Sequence, residues 1–229
     1  MKVLVTITAF NEESNIGDVL AGIKQQNYDC ILVDDGSTDD TCAIAEHYGV
    51  KTIRHLANIG QGFAVLMGFK AALLEDYDII IAMDGDGQHD PEEISRFEKK
   101  MDELDVDIVV GSRILGSNYD AAPFFRKKFQ PFFTWIINKL TGYNMTDSMC
   151  GFRAFRASSL QKVAHTFDDM LEPQYLSAEM FLRFSKEGLT VEEVPINLHD
   201  RNFGYSYKGF FRYGWGVTRA IIKTLMTAK

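Results

Sequence analysis

Short apolar runs alternate with longer stretches of helical periodicity through the first half of this 229-residue chain. Short apolar runs predict buried strands, whereas apolar positions three and four residues apart predict helices with one buried face. Ile16, Val19, Leu20 and Ile23 share such a face. The pattern predicts strands at 3–9, 30–33, 51–54, 79–83 and 107–111, and helices at 12–26, 39–48, 62–74 and 91–104.

Strands that alternate with helices of this length imply an α/β fold with a mostly parallel sheet covered on both faces. In such sheets, ligands bind beyond the carboxyl ends of the strands. The first, second and fourth predicted strands each end in a polar cluster, at residues 8–12 (TAFNE), 34–37 (DDGS) and 84–86 (DGD). Three polar strand ends at one edge of a sheet predict a binding site there.

Beyond residue 113 the pattern changes. A further helix is predicted at 175–187 and a strand at 190–196, while residues 124–140 (FFRKKFQPFFTWIINKL) and 205–226 mix aromatic with basic side chains. That mixture favours amphipathic helices at an anionic lipid surface. The alternatives are a core helix with a solvated basic end and, for the C-terminal segment, a dimer contact. We expect one domain at 1–204, followed by a C-terminal amphipathic helical segment at 205–229.

Composition narrows the class of protein. A formal net charge of −8 argues against nucleic-acid binding. Cys30, Cys42 and Cys150 are odd in number and form no CxxC pair, which argues against a disulfide framework or a structural zinc site and favours a reducing cytoplasm. The N-terminus is typical of a first strand rather than a signal peptide, and no window approaches the ~20 apolar residues of a membrane-spanning helix.

The acidic cluster after the fourth predicted strand is a candidate metal site. In extended backbone Asp84 and Asp86 point the same way, Gly85 lets the backbone approach a ligand closely, and Gln88 offers a third oxygen. Hard oxygen ligands of this kind suit Mg²⁺ or Mn²⁺, with substrate phosphates completing the coordination. The alternative is an Asp- and Gly-rich turn in which Asp90 caps the next helix. His89 is assigned no role.

The cluster after the second strand admits two interpretations. Asp34 and Asp35 precede Gly36 and Ser37 at a strand-to-helix turn, where such residues commonly cap the helix. Alternatively, one of the two carboxylates accepts a hydrogen bond from the N–H of a nucleobase.

Seven segments in order carry a more specific signal, namely TAFNEE (8–13), VDDGSTDDT (33–41), NIGQGFAVLMGFKAA (58–72), MDGDGQHDP (83–91), GSR (111–113), DSMCGFR (147–153) and EVPINLHDRNFGYS (193–206). Together they resemble the family-2 inverting glycosyltransferases of the GT-A fold, and within that family the dolichol- or polyprenol-phosphate sugar synthases. The resemblance covers essentially the whole chain, and the ordered set is far more specific than any one segment.

The resemblance implies roles for individual residues. Asp84, Asp86 and Gln88 would hold the divalent cation, and Asp86, Arg113 and Arg153 would act in catalysis, with Asp147 on the acceptor side. Arg201 and Ser206 belong to a late motif that closes over the site. The nucleotide-sugar would contact Ala9, Phe10, Glu12, Asp34, Asp35, Gly62, Asp84, Gly85 and Asp86.

Two positions depart from the family pattern. Gln61 stands where members often carry lysine or arginine, and Tyr207 follows Ser206, so that Lys208 comes one residue late. Both departures concern contacts to the donor. The QxxRW signature of processive polysaccharide synthases is also absent from the sequence, which argues against a polymerising enzyme.

The expected activity is metal-dependent transfer of a sugar from GDP-mannose, UDP-glucose or UDP-N-acetylglucosamine to a dolichyl or undecaprenyl phosphate. A phosphate acceptor is already ionised and needs no strong base, whereas a hydroxyl acceptor would need one, and the sequence shows no obvious candidate. One alternative is transfer to a hydroxyl acceptor. A second is a sugar nucleotidyltransferase, which would require a basic Gly-rich loop after the first strand. A third is a non-catalytic binding protein. We expect a cytoplasmic protein in peripheral contact with the membrane, with a homo-oligomer left open.

Overall fold

A computed structural model describes residues 1–117, 124–170, 172–199 and 210–227. The strands are β1 (Val3–Ala9), β2 (Asp29–Asp34), β3 (Lys51–Arg54), β4 (Ile79–Asp84), β5 (Ile108–Ser112), β6 (Arg153–Arg156) and β7 (Val191–Pro195). The helices are α1 (Ile16–Gln25), α2 (Thr41–His47), α3 (Gln61–Ala72), α4 (Ile94–Leu104), α5 (Phe124–Thr141), α6 (Ala157–Val163), α7 (Leu176–Lys186) and α8 (Phe210–Thr227). Short 3₁₀ turns cover Pro91–Glu93 and Ala164–Asp169.

The strands form one mixed sheet in the order β3-β2-β1-β4-β6-β5-β7. Every neighbouring pair is parallel except the two pairs that involve β6. The predicted α/β fold with a mostly parallel sheet is therefore confirmed. Because β2, β1 and β4 are neighbours, their carboxyl ends lie side by side, with Ala9 opposite Asp34 and Thr8 opposite Asp84.

β6 is the strand that the apolar pattern did not predict. It is four residues long and has arginine at both ends, so it offers little hydrophobic periodicity. The Arg156 side chain is accommodated because it donates to the backbone carbonyls of Met101 and Val106. β6 runs antiparallel to β4, with Arg153 opposite Ala82. The residues just before β6 therefore reach the same edge as the residues just after β4.

Helix α1 begins at Ile16, four residues later than the apolar pattern predicts. The chain first makes a turn in which the Glu12 carbonyl accepts from the backbone N–H groups of Asn15 and Ile16. Asn11, whose side chain is of a type that often caps helices, does not cap α1: it has φ 54° and its side-chain oxygen accepts from the N–H of Thr38. The helix-start prediction at Asp90 is confirmed, since its carboxylate accepts from the N–H of Glu92.

Helices α5 and α8 pack side by side. Phe133 and Ile137 on α5 and Val217 and Ala220 on α8 are buried, and the Phe133 ring approaches Gly214. None of the helices that the structure describes is both long and apolar enough to cross a bilayer. The predicted domain boundary at 204/205 lies outside the described residues.

Candidate active site

Asp84, the last residue of β4, is held by neutral hydrogen-bond donors. Its Oδ1 accepts from the Thr8 hydroxyl at 3.3 Å and from the Gln61 side-chain amide at 2.7 Å. Its other carboxylate oxygen lies so close to Gly151 that a Cβ there would sit 2.8 Å away. Neutral donors orient a carboxylate without cancelling its charge. Asp84 is therefore held in a fixed orientation by neutral donors, as suits a metal ligand.

Asp86 lies in a tight turn after β4. Its Oδ1 accepts from the N–H of Gln88 at 3.1 Å, and Gly87 has the positive φ of 76° that the turn requires. The Gln88 carbonyl accepts from the N–H of His199 at 3.0 Å, which ties the turn to the segment after β7. The turn therefore presents Asp86 next to Asp84 on a backbone that is hydrogen-bonded at both ends.

The donor set fits a hard divalent cation. Two half-buried carboxylates two residues apart, with the remaining positions left to phosphate and water, is the usual way in which proteins hold Mg²⁺. Within the described residues, no group of three or more His, Cys, Asp or Glu side chains is arranged to hold a metal. A cation at Asp84 and Asp86 would therefore depend on its substrate for further ligands. A role for the Gln88 side chain stays a prediction.

Arg113 and Asp147 form a two-pronged ion pair beside the acidic turn. Arg113 Nε lies 2.6 Å from one Asp147 oxygen and Nη2 lies 2.8 Å from the other. The Gln130 side-chain oxygen accepts from the same Nη2 at 2.6 Å in the amide orientation that satisfies both groups. Burial alone would raise the pKa of Asp147, but the adjacent Arg113 guanidinium holds it below its usual value. Asp147 thus remains ionised and fixes the orientation of the Arg113 guanidinium.

Glu193 on β7 supports this ion pair from behind. Its two carboxylate oxygens accept from the N–H groups of Asp147 at 2.8 Å and Thr146 at 2.7 Å. Burial raises the pKa of Glu193. The sequence assigned Glu193 no role, because its partners lie on a different part of the chain. Its place within the EVP segment was the available signal.

Arg153, predicted to be catalytic, is buried at the start of β6. Its Nη2 donates to the Ser148 carbonyl at 3.1 Å and the Ser177 hydroxyl at 2.7 Å, and its guanidinium lies 5.0 Å from the Phe181 ring centre. Burial lowers its pKa to about 10, so it remains charged at neutral pH. These contacts place Arg153 behind the segment that carries Asp147. A direct catalytic role for it stays a prediction.

His89 sits inside the cluster of charged residues. Its ring stacks on Phe152 with centroids 5.0 Å apart, and no hydrogen-bond partner for its buried Nδ1 lies among the residues that the structure describes. Burial lowers the pKa of His89, against the opposing effect of Asp84 and Asp86. The imidazole is therefore neutral near pH 7. Packing against a residue 63 positions away could not be read from the local sequence.

The two aspartates after β2 make extensive contacts within the protein. Asp34 accepts from the Ser37 N–H at 3.0 Å and from the Ser37 hydroxyl, and lies 3.3 Å from Arg54 Nε. These contacts match the turn part of the first interpretation, but Asp34 does not cap α2, which begins at Thr41, where the Thr41 N–H donates to Asp39 instead. Base recognition by Asp34 stays a prediction.

Asp35 organises the loop that precedes α3. One of its oxygens lies 2.9 Å from His55 Nδ1 and 3.0 Å from the Ile59 nitrogen, and the other accepts from the N–H of Gly60 at 2.9 Å. Asp35 therefore fixes the shape of this loop. The sequence did not indicate this role, because it depends on how the loop packs. Base recognition by Asp35 likewise stays a prediction.

The remaining predicted donor residues line the ends of β1 and β4. Ala9 and Gly85 are in close contact, since a Cβ on Gly85 would lie 3.1 Å from the Ala9 Cβ. Phe10 is half-buried, while Glu12 is buried and accepts from the Asn15 side-chain amide at 2.7 Å. Glu12 therefore shapes the turn after β1. Arg201, Ser206, Tyr207 and Lys208 lie outside the described residues.

Gly62 lies where α3 begins, against the segment before α7. Its N–H donates to the Pro173 carbonyl at 2.7 Å, and a Cβ would lie 2.6 Å from the Glu172 carbonyl oxygen. Gly60 has φ 114° and packs equally tightly on Pro173. Glycine is required at both positions by close backbone approach. Contact between Gly62 and a donor stays a prediction.

Comparison with known proteins agrees with this geometry. The model of "Glycosyl transferase family 2" matches residues 4–164. The chain is 31% identical to a UDP-N-acetylglucosamine–dolichyl-phosphate N-acetylglucosaminyltransferase of Methanococcus voltae, over 85% of this chain and 84% of the relative. It is 30% identical to an undecaprenyl-phosphate mannosyltransferase of Micrococcus luteus, over 90% and 87%.

Among solved structures, glucosyl-3-phosphoglycerate synthase from Mycobacterium tuberculosis, in complex with Mn²⁺, UDP and glucosyl-3-phosphoglycerate, superposes with a TM-score of 0.71. The match covers 98% of this chain and 78% of that chain at 18% identity. Similarity at this level of identity shows a shared GT-A fold.

Proposed function

Because the chain belongs to glycosyl transferase family 2, we propose that it transfers a sugar, with inversion, from a nucleoside-diphosphate donor to a polyprenyl phosphate. One observation supports this proposal: Asp84, held by neutral donors, and the Arg113–Asp147 ion pair lie at the same edge of the sheet. The Asp84 carboxylate suits a cation that binds a donor diphosphate. The Arg113 guanidinium suits the phosphate of an acceptor. Two relatives are named as transferases of different sugars, N-acetylglucosamine and mannose, and both names include a polyprenyl phosphate.

The acidic turn that carries Asp84 and Asp86 would serve the nucleotide-sugar donor. Mg²⁺ or Mn²⁺ bound there would offset the negative charge that develops on the departing nucleoside diphosphate. The chain's own task is to hold two carboxylates at fixed positions. Gln61 and Thr8 orient Asp84, and the N–H of Gln88 orients Asp86.

The acceptor half needs orientation rather than deprotonation. A phosphate monoester is ionised near neutral pH and attacks without a general base. Arg113 can hold a phosphate oxygen because guanidinium groups bind oxyanions through several N–H donors, and its aim is set by Asp147 and Gln130. His89 is neutral and buried, and contributes shape to this pocket rather than charge.

The lipid tail requires a surface at which it can leave the membrane. Phe132, Trp135 and Trp215 are 52, 57 and 71% exposed, and Ile222 and Leu225 extend the apolar face of α8 at helical spacing. Large aromatic side chains on helices next to basic residues are typical of interfacial helices. We therefore place the membrane contact on α5 and α8. The basic side chains of Arg126 and Lys128 lie outside the described residues.

The test is Asp86→Ala assayed with Mn²⁺ or Mg²⁺, UDP- and GDP-sugars and a short-chain polyprenyl phosphate. We expect wild-type transfer with one nucleotide class and a loss of at least about 100-fold in the variant, as for removal of a group that stabilises developing charge. The matched control is Asp102→Ala, since Asp102 is an exposed carboxylate on α4. Transfer by Asp86→Ala at the wild-type rate would contradict the metal site, and transfer to a hydroxyl lipid alone would contradict the acceptor class.

A further inference from the structure

Residues 172–175 lie between the loop that starts α3 and the C-terminal helix. On one side, the Pro173 carbonyl accepts from the N–H of Gly62, and Gly60 packs on the same carbonyl without room for a Cβ. On the other side, Tyr175 contacts α8 so closely that a Cβ on Gly216 would lie 1.9 Å from its ring. This short segment therefore connects α8 to the loop that carries Gln61.

An ion pair with one buried member fastens this segment to α8. The Glu172 side chain is 1% exposed, and both of its oxygens accept from Nη2 of Arg219, at 2.9 and 3.2 Å. The Glu172 backbone N–H donates to Glu179 at 2.9 Å, and Glu179 in turn pairs with Arg183. A buried carboxylate is strongly destabilised when its cationic partner is removed, so the position of Glu172 depends on Arg219.

We infer that Arg219 is a positioning residue for the donor loop, acting through Glu172 and Pro173 on Gly62. The inference rests on the proposed function in one respect, namely that the Gly60–Gly62 loop contacts the nucleotide-sugar. The helix whose outer face is assigned to the membrane then also sets the geometry of the donor pocket through its inner face. Arg219 lies 131 positions after Gln88 in the acidic turn and 157 positions after Gly62 in the donor loop, and it belongs to no motif in the sequence.

The first readout is amide hydrogen exchange of the donor loop, which needs no substrate. In Arg219→Ala, the Gly62 N–H should exchange about tenfold faster, because its acceptor is the Pro173 carbonyl. The Gly60 N–H is an internal control, since it donates to Asp35 instead and should be unchanged. Equal protection of Gly62 in the variant and the wild type would overturn the inference.

The second readout is donor binding. We expect Arg219→Ala to raise the KM for the donor about tenfold, with the KM for the lipid phosphate and the partition onto vesicles unchanged. Arg219→Lys should restore most of the donor affinity, because one nitrogen of Arg219 contacts both Glu172 oxygens. Lys223→Ala removes a charge one turn further along α8 and should change neither the Gly62 exchange nor the donor KM.

The outcomes separate the two proposals. Faster Gly62 exchange with no binding of either nucleotide to the wild type would retain the structural contact, refute the proposed function and, with it, the role of Arg219 toward a donor. Normal transfer by the wild type with an unchanged donor KM in Arg219→Ala would refute the positioning role alone. Arg219→Ala leaves the buried Glu172 carboxylate without its partner and can destabilise the fold. Glu172→Gln, which keeps the shape of the side chain and removes its charge, is therefore measured beside it and should also raise the donor KM.

Discussion

Gln61 is the residue at which this chain most visibly departs from its family, and its side-chain amide donates directly to Asp84 at 2.7 Å. A lysine there would place a fixed positive charge beside the proposed metal ligand. A neutral amide orients the carboxylate and leaves its charge to a cation. We therefore expect the proposed donor site to depend on a metal ion more strongly with Gln61 than it would with a lysine at this position.

We expect Gln61→Lys to weaken Mn²⁺ binding about tenfold, because an ammonium within ion-pair distance of Asp84 competes with the cation. Isothermal titration with Mn²⁺ and nucleotide measures the effect. Gln61→Met, which removes the hydrogen bond without adding charge, is the control and should shift the affinity far less. Equal effects of the two substitutions would show that charge at this position is irrelevant.

Asp147 offers a test with a defined pH dependence. Removing one partner of a buried ion pair costs about 3–5 kcal/mol, so Asp147→Asn should lower the free energy of unfolding by that amount at pH 7. The pKa of Asp147 is lower in the folded protein than its ordinary value of 3.8, so its stabilisation is fully present above pH 3.8 and is lost as the pH falls through the folded value.

Urea unfolding of wild type and Asp147→Asn from pH 7 to pH 3 measures this difference. The gap between the two proteins should be constant above pH 4 and narrow below it. Asp102→Asn, on the exposed side of α4, should follow the wild type throughout. A gap that grows on acidification would mean that the sign of the Asp147 shift is wrong.

How far the site could be predicted depends on the range of the contacts. Asp84 and Asp86 could be proposed from the sequence because both lie at the end of one strand, where local backbone geometry directs the side chains. The stacking of His89 on Phe152, the Glu193 support for Asp147 and the hold of Asp35 on the loop at Gly60 all join distant parts of the chain. No local pattern encodes such contacts.

At the scale of the elements, β1, β2, β4 and β5 were predicted because each buries an apolar run, whereas β3 is an edge strand with no fully buried residue. β1, β3 and β4 match the expected bounds to within a residue. Helix ends were less accurate because turn chemistry decides them, as the late start of α1 shows. β6 was not predicted, because its pairing with β4 and β5, rather than a pattern in its own sequence, makes it a strand.

The junction between α8 and Tyr175 gives a test at this scale. In Gly216→Val the new side chain overlaps the Tyr175 ring, so we expect a loss of about 1–3 kcal/mol in the free energy of unfolding, as is usual for overpacking. Gly214→Ala is the matched control, because its Cβ would meet the Phe133 ring at an ordinary 3.8 Å. That control should be neutral or stabilising by up to about 1 kcal/mol, through better helix propensity. Urea unfolding distinguishes the two, and equal stability would place α8 further from Tyr175.

At the scale of the whole molecule, a net charge of −8 opposes the proposed contact with an anionic membrane. Long-range repulsion from an anionic bilayer is screened within about 8 Å at physiological salt, so local features decide binding. The exposed aromatic side chains of α5 and α8 provide the apolar contact. Membrane association should therefore depend on burial of these rings more than on the overall charge.

Sedimentation with vesicles containing anionic lipid tests this view. We expect the Trp135→Ser, Trp215→Ser double variant to lose about tenfold in vesicle affinity, since each buried aromatic side chain contributes about 1.5–3 kcal/mol at full burial and these rings bury only in part. Phe133→Leu, which changes a buried aromatic residue of α5, is the control and should bind like the wild type. Undiminished binding of the double variant would place the membrane contact elsewhere.

The antiparallel direction of β6 has a consequence for protein engineering and for the evolution of related chains. The chain leaves the sheet at the end of β5 and returns at the start of β6, and these two points are adjacent, with Val110 opposite Arg153. Residues 113–152 therefore form a cassette with both junctions at one place on the scaffold. Recombination between related chains at Arg113 and Arg153 would exchange the part to which we assign the acceptor, while leaving β1, β2 and β4, to which we assign the donor, intact. On the proposed function, specificity for the acceptor and specificity for the donor can in this way be inherited separately.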